Sequence, residues 1–503
     1  MAEPVPTELE IKFLLPAGAE STLNAHPVLR TADGEPWKTQ KELTTYFDTS
    51  DHAFARSGAS LRIRYGNGRH VQTLKLRHGG SAFSRGEWEW PLTGDKPNLQ
   101  VLADTPLAEL AETTVDLIPV FIAEVSRSLQ VVQSGDAVIE ATLDIGAIKA
   151  GEKVEPIREL ELELKEGKPA ALYHLAEQLQ TTLPLVLGAE SKSDRGWRLV
   201  HGRPRKGVKQ AKLHLPEDVT GAAAFRIMVQ AALASLLTSQ PAAASGVVEG
   251  VHQMRIATRR LRACLSLFQP HLDPDAQLHH TSELRQLAQV LGEARDWDVF
   301  CTQTLPDTAE EGMAELCTAS LLAKAEAERA AAHERLAAEL AGPALTRTVL
   351  GLAAWAEAPE AFAGRAGGEA LSKPLSHVAS KLEKRLERKV RRRGRHIGQR
   401  SEEELHDLRK ALKKLRYGVE FLAPMHEEDR VKSYLHHCKL LQEQLGAIND
   451  AATTVTLAKR LGTQDASLVS AVDALKTWAS QRSTRAMAEL PKAWHEFRKV
   501  PFP

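Results

Sequence analysis

The apolar residues of this 503-residue chain change their spacing once, and that change limits the folds open to it more than any other feature. Up to about residue 200 they recur at every second position, the period of a strand with two different faces. TELEIKF (7–13), LRIRY (61–65), VQTLKLR (71–77), EWEW (87–90), FIAEVSRSLQVV (121–132), AVIEATLDIG (137–146) and RELELELK (158–165) all read this way. Gly, Asn and Pro separate them, and 170–180 reads as a helix. So many strands in so short a stretch predict a closed barrel or sandwich. Beyond about residue 220 the pattern turns to long helical stretches rich in Ala, Leu, Glu, Arg and Gln. A chain of this length exceeds one core. We divide it into a strand domain (1–203), a linker (204–217) and a helical domain (218–503).

Composition excludes little. The 65 basic and 65 acidic residues cancel, so only local clusters of charge point to partners. Cys264, Cys301, Cys317 and Cys438 are scattered, with neither metal spacing nor a disulfide framework, which fits buried thiols in a reducing compartment and a cytoplasmic location. The opening MAEPVPTELE has no signal-like apolar run, and no run of eighteen apolar residues suggests a membrane span. The softest region, AAALASLLTSQPAAASG, reads as a helix end followed by a loop.

The polar faces of the strands are unusual. Glu8, Glu10 and Lys12 share one face, as do Arg62 and Arg64, Lys75 and Arg77, Glu87 and Glu89, and Glu159, Glu161 and Glu163. Each strand alone fits an ordinary solvated face. Together they segregate acidic from basic strands, which suits a cavity holding an anion through basic groups and a divalent cation through carboxylates. Arginine presents a planar fork to phosphate oxygens, and Mg²⁺ or Mn²⁺ takes oxygen ligands. No G-x-x-x-x-G-K-[ST] loop is present. Glu124 and Arg127, three apart, meet only across a bulge or turn, and Lys192 and Arg195 fall in the turn-like SKSDRG.

In order, E-x-E-x-K at 8–12, R-x-R at 62–64, K-x-R at 75–77, Arg127 and E-x-E at 161–163 resemble the CYTH superfamily, the triphosphate tunnel metalloenzymes. The resemblance covers roughly residues 5–200 and implies an eight-stranded antiparallel β-barrel forming a tunnel. It implies that Lys12, Arg62, Arg64, Lys75, Arg77, Arg127 and Lys192 grip phosphates. Glu8, Glu10, Glu161 and Glu163 would hold Mg²⁺ or Mn²⁺, with Glu8, Glu10, Lys12 and Lys75 serving the catalytic step. Asp144 and Glu124 would be further wall carboxylates, while His52 and Tyr46 read as structural. Members joined to a helical domain resemble inorganic triphosphatases, which cleave tripolyphosphate to pyrophosphate and phosphate. Adenylyl cyclase, thiamine triphosphatase and nucleoside triphosphatase activities are the alternatives, as is a polyphosphate-binding module without catalysis.

The helical half repeats itself. VHQMRIATRRLR (251–262) matches LHDLRKALKKLR (405–416), and LGEARDWDV (291–299) matches LGAINDAAT (445–453), both at an offset of 154 residues. We read an all-helical bundle of two copies, about 221–350 and 371–498, facing each other around an axis. One helical stripe carries His252, Arg255, Arg259 and Arg262, flanked by Arg260; the other carries His406, Arg409, Lys413 and Arg416, flanked by Lys410 and Lys414. Like charges in register on related helices repel unless an anion fills the space. The run KLEKRLERKVRRRGR (381–395) reads as one helix ending at Gly394, with a solvated basic face. H-x-x-R-x-x-x-R-R-x-R at 252–262 resembles the CHAD domain, which implies binding of inorganic polyphosphate. Lys413 and Lys414 stand where the first copy has arginines, keeping charge but losing the bidentate fork. Nucleic acid is disfavoured, since no stacking aromatics interleave with the basic residues. Oligomeric state stays open.

Overall fold

The computed structural model describes residues 7–31, 34–76, 83–114, 116–183, 185–210, 213–313 and 318–503. Arg77 and Cys317 lie outside the described residues. Two compact units emerge: residues 1–206 with 233–245 and 340–358, and residues 207–232 with 246–339 and 359–503.

In the first unit, β1 (Thr7–Leu14), β2 (Lys38–Asp48), β3 (Ala59–Gly66), β4 (Arg69–Leu76), β5 (Ser84–Leu92), β6 (Ile118–Ser134), β7 (Ala137–Ala150) and β8 (Lys153–Glu166) are all antiparallel. Their order is β5-β4-β3-β2-β6-β7-β8-β1, and β5 pairs back onto β1, so the eight strands close. A two-residue strand, β9 (Val186–Leu187), adds to β1. Closure leaves the barrel strands without a free edge and gives every strand one inner and one outer face.

The apolar faces point outward. Ile11 and Phe13 of β1 and Leu160 and Leu162 of β8 are fully buried on the outside, where the helix Pro169–Thr182 packs through Leu172, Leu175 and Leu179. Leu61 and Leu74 pack with Phe54, Leu102 and Leu107 in a second outer cluster. At one position the interior is apolar instead: Phe121 and Tyr46 stack at 4.5 Å, and Trp197 meets Phe121 edge-on. Trp197 belongs to the helix Lys192–His201, so SKSDRG is the start of a helix and not a turn. Ser191 and Asp194 form a reciprocal capping box there, satisfying first-turn N–H groups that a turn would leave to water. Gly196 permits the approach, since a Cβ at that position would lie 2.1 Å from the Phe121 ring.

Among the described residues 203–210 and 213–216 there is no helix or strand. The helix Gly221–Ala244 corrects the reading of a helix end and loop, for it runs through Pro241 near its last turn. It is long and apolar enough to cross a membrane by length and composition, with 67% of its apolar window buried inside the protein.

The second unit is a helical bundle. Val248–Phe268 packs on Pro274–Val299, Glu402–Leu422 packs on Glu428–Gln464, and the first helix of each pair packs on the other. Ser376–Arg393 ends at Gly394, as the sequence indicates. Its buried side is Val378, Leu382, Leu386 and Val390 at helical spacing, which leaves most of its basic residues on the outer side.

Candidate functional site

Alternation along the closed strands turns the ionisable residues inward. A cavity of about 790 Å³ inside the barrel is lined by Glu8, Glu10, Lys12, Arg62, Arg64, Lys75, Glu87, Glu89, Arg127, Glu161, Glu163 and Lys192. The register explains the grouping: Glu10 lies opposite Glu163, Lys12 opposite Glu161, and Lys75 opposite Glu87.

On one side the charges match. Lys192 Nζ lies 2.8 Å from Asp144 and 2.9 Å from Glu161, and it also pairs with Glu159. Lys12 Nζ lies 3.0 Å from Glu161 and 3.6 Å from Glu159. Arg127 grips Asp144 through two bonds of 2.8 and 2.6 Å and reaches Glu42 at 3.4 Å. Four carboxylates thus meet these three cations, and Arg195 adds a fourth at 3.7 Å from Glu159. Burial opposes ionisation of Glu161, yet Lys192, Lys12 and Arg127 hold its carboxyl well below the usual range. Asp144, Glu159 and Glu161 bring carboxylate oxygens within 4.8 Å of one another, a spacing open to a metal ion. The Lys192 ammonium already provides a cation there.

On the other side carboxylates are in excess. Lys75 Nζ lies 2.8 Å from Glu8, 3.1 Å from Glu87 and 3.9 Å from Glu10. Lys165 lies 2.6 Å from Glu163 and 4.0 Å from Glu140. Five carboxylates share these two ammonium groups, with Arg62 at 3.5 Å from Glu87 and Lys12 at 4.0 Å from Glu10 as the further cations. Burial and a hydrogen bond with Glu87 raise Glu8 despite Lys75. Burial and the charge of Glu8 push Glu163 up to about 7. Such a corner is short of positive charge, and an all-oxygen donor set of this kind fits Mg²⁺ or Mn²⁺. Of the four expected metal ligands, Glu8, Glu10 and Glu163 lie here, whereas Glu161 sits among the lysines.

Arg62 lies 3.5 Å from Glu87, and Arg64 lies 3.2 Å from Glu89. Glu124 is not a wall residue: it is half exposed and pairs with Lys149 outside the barrel, because its parity on β6 is opposite to that of Arg127. Arg195 bonds Glu155 at 2.8 Å. His52 and Tyr46 line the cavity together with Trp197 and His201, and His52 lies 4.7 Å from Trp197 and 5.2 Å from His201. Glu42 and Lys165 also escaped the sequence reading, whereas the parity of Glu140 with Asp144 is legible in it. Lys165 merely continues the alternation of Glu159, Glu161 and Glu163 by one step.

In the helical unit the basic stripes divide. Arg259, Arg409, Lys413 and Arg416 line a cavity of about 540 Å³. Arg255 lies 3.1 Å from Asp296, and Arg409 lies 3.7 Å from Asp450, both partners being offset by 154 residues. Lys414 faces the helix Ser376–Arg393 instead, and Arg262 lies near Lys414 and Arg285; burial, Lys389 and Arg262 bring Lys414 down to about 8. Arg260 pairs with Glu420 at 3.1 Å, Lys410 with Asp407 at 2.6 Å, and His406 Nδ1 lies 2.8 Å from Asn449 Oδ1. Burial and Arg295 lower His252.

Four curated proteins match this chain, the following two among them. An inorganic triphosphatase of Haemophilus influenzae is 32% identical over 161 residues, which is 31% of this chain and 45% of that protein. An uncharacterized protein of Mycobacterium tuberculosis is 31% identical over 280 residues, 52% of each chain. The matches span about half the length of these relatives. The solved CHAD domain of the plant Ricinus communis superposes with a TM-score of 0.50 at 26% identity, covering 59% of this chain and 98% of that one. Residues 6–197 match the CYTH domain and residues 227–459 match the CHAD domain. This chain is built of a CYTH domain followed by a CHAD domain.

Proposed function

We propose that the barrel hydrolyses inorganic triphosphate to pyrophosphate and phosphate with the help of Mg²⁺ or Mn²⁺, and that the helical unit binds inorganic polyphosphate. One observation carries the reading: a cavity inside the barrel with fixed arginines and lysines beside a corner where Glu8, Glu10 and Glu163 are short of positive charge. Its chemistry fits a metal-assisted attack on a phosphoanhydride. The inorganic triphosphatase among the relatives supports the choice of substrate.

Glu8, Glu10 and Glu163 would hold the metal, with Glu161 at the edge of the set. A bound divalent cation supplies neutralisation of phosphate oxygens and of the charge that develops on them. Lys12, Arg62, Arg64, Lys75, Arg127 and Lys192 line the cavity and would serve as phosphate ligands, with Arg77 assigned from its motif. Arg127 is held by Asp144 and Glu42, so its fork is fixed before substrate arrives. Lys75 offers a shared ammonium that can pass from Glu8 and Glu87 to a phosphate oxygen. We also place the protein in the cytoplasm, away from the membrane, in line with its scattered cysteines, of which Cys264, Cys301 and Cys438 are unpaired.

A second reading has a specific basis. Tyr46, His52, Trp197 and His201 line the cavity and offer ring faces to a triphosphate that bears an aromatic group, such as a nucleotide or thiamine triphosphate. A phosphate-release screen across tripolyphosphate, ATP, thiamine triphosphate and long polyphosphate separates these readings, with cyclic-nucleotide detection alongside. Tripolyphosphate is expected to be cleaved fastest and E8Q/E10Q to be inactive. Faster turnover of a ring-bearing substrate favours the second reading, and no release with either metal removes the hydrolase assignment.

A further inference from the structure

The cation cluster of the helical unit lacks counter-charge. Arg409 and Lys413 project from Glu402–Leu422, and Arg255 and Arg259 from Val248–Phe268. The carboxylate that bears on Lys413 is Asp450 of Glu428–Gln464, which lies 3.7 Å from Arg409 and is 65% exposed. Arg255 is matched by Asp296. The remaining carboxylates of the cavity wall are engaged elsewhere: Glu443 lies 3.8 Å from Lys439, and Asp307 lies 3.3 Å from Arg482. On its own helix Arg416 pairs with Glu420, outside the cavity wall, at 3.2 Å, and Tyr417 faces Arg259. Among the described residues, neither Arg259 nor Lys413 makes an ion pair.

Position 413 matches position 259 at the 154-residue offset, yet one is lysine and the other arginine. The difference matters in such a field. Guanidinium keeps its proton in proteins, whereas a buried ammonium gives one up. Burial, Arg409, Arg259 and Arg255 bring Lys413 down to about 6.

We propose that Lys413 is a proton-taking ligand: neutral in the anion-free protein, it takes one proton from solvent as phosphate oxygens enter the cavity, so polyanion binding weakens as pH rises. This rests on the polyphosphate reading of the helical unit. The proton comes from water or buffer, –NH₂ becomes –NH₃⁺, and no bond to phosphorus forms. An arginine there would bind without the proton and without the pH dependence.

The test is calorimetry of the full chain with sodium polyphosphate in EDTA, in buffers of differing ionisation enthalpy, for the parent and K413R. The difference between the two proteins cancels protons taken up by the polymer ends and by the barrel. At about pH 7.5 the parent should take up about one proton more than K413R, and at about pH 5 the two should agree. Between about pH 7 and 9 the parent should lose about tenfold in affinity per pH unit relative to K413R. Binding with equal proton counts overturns this proposal alone. No binding at any pH overturns both it and the polyphosphate reading.

Discussion

Replacing Lys192 by alanine tests the charge-matched side of the barrel. The ammonium lies within 2.9 Å of Asp144 and Glu161 and also meets Glu159, and Asp144 and Glu159 are wholly buried. Removing one partner of a buried ion pair costs about 3–5 kcal/mol, because the orphaned charge stays in a poor dielectric. Lys12 remains 3.0 Å from Glu161 and Arg127 remains 2.6 Å from Asp144, so the lower bound applies, about 3 kcal/mol. For a unit of this size each kcal/mol moves Tm by about 2–4 °C, which predicts a fall of about 6–12 °C at neutral pH. The pH dependence is a second handle. The carboxyls of Asp144 and Glu161 are held low in the fold, so their stabilisation exists above the ordinary carboxylate range and is lost as pH falls. The gap between parent and K192A should therefore narrow below about pH 4. Scanning calorimetry of both proteins from about pH 3 to 8 decides the matter. A K192A protein that melts within about 1 °C of the parent at neutral pH, or a gap that ignores pH, would refute the reasoning.

Three further outcomes follow from particular contacts. E163Q should flatten the loss of stability that the unliganded parent shows as pH rises through about 7, because the raised Glu163 stabilises only while protonated. The same variant should lose the thermal shift that Mg²⁺ or Mn²⁺ gives the parent. G196V forces atoms into the Phe121 ring and should cost at least about 1–3 kcal/mol of urea stability, with loss of the near-UV signal of Trp197. In the helical unit, Glu383 is raised by burial and His426 by its 2.8 Å bond to Glu383. Both favour the fold at low pH, Glu383 losing its share above about pH 4.5 and His426 above about 6.5, so the urea midpoint should fall as pH rises across that range, and less so in E383Q/H426Q.

Much of the barrel was legible because alternation was its only requirement. Glu8, Glu10 and Lys12 against Leu9, Ile11 and Phe13 already state which side each residue takes, and closure supplies the inside. Parity also contained the right answer for Glu124 and Arg127, three apart and hence on opposite faces. What the sequence withheld was distance across strands. Glu161 and Glu163 are adjacent on one face, yet Lys192 reaches one and Lys165 the other, and only the fold of the Lys192–His201 helix fixes that. The Ser191–Asp194 cap was readable as a helix start, but Gly196 beside it suggested a turn. Its actual cause is the aromatic ring against which it packs. In the helical half the stripes were visible, whereas their division between a cavity and the Ser376–Arg393 helix depends on packing.

The inside-out alternation of β1 makes the barrel intolerant of one kind of change. Deleting or inserting a single residue between Thr7 and Lys12 would rotate part of the strand by half a pleat, sending its carboxylates toward the greasy jacket and its leucine and isoleucine into the wet interior. Two-residue edits would preserve the facing and shift only the depth at which each charge sits. Length variation in this strand should therefore come in pairs or not at all.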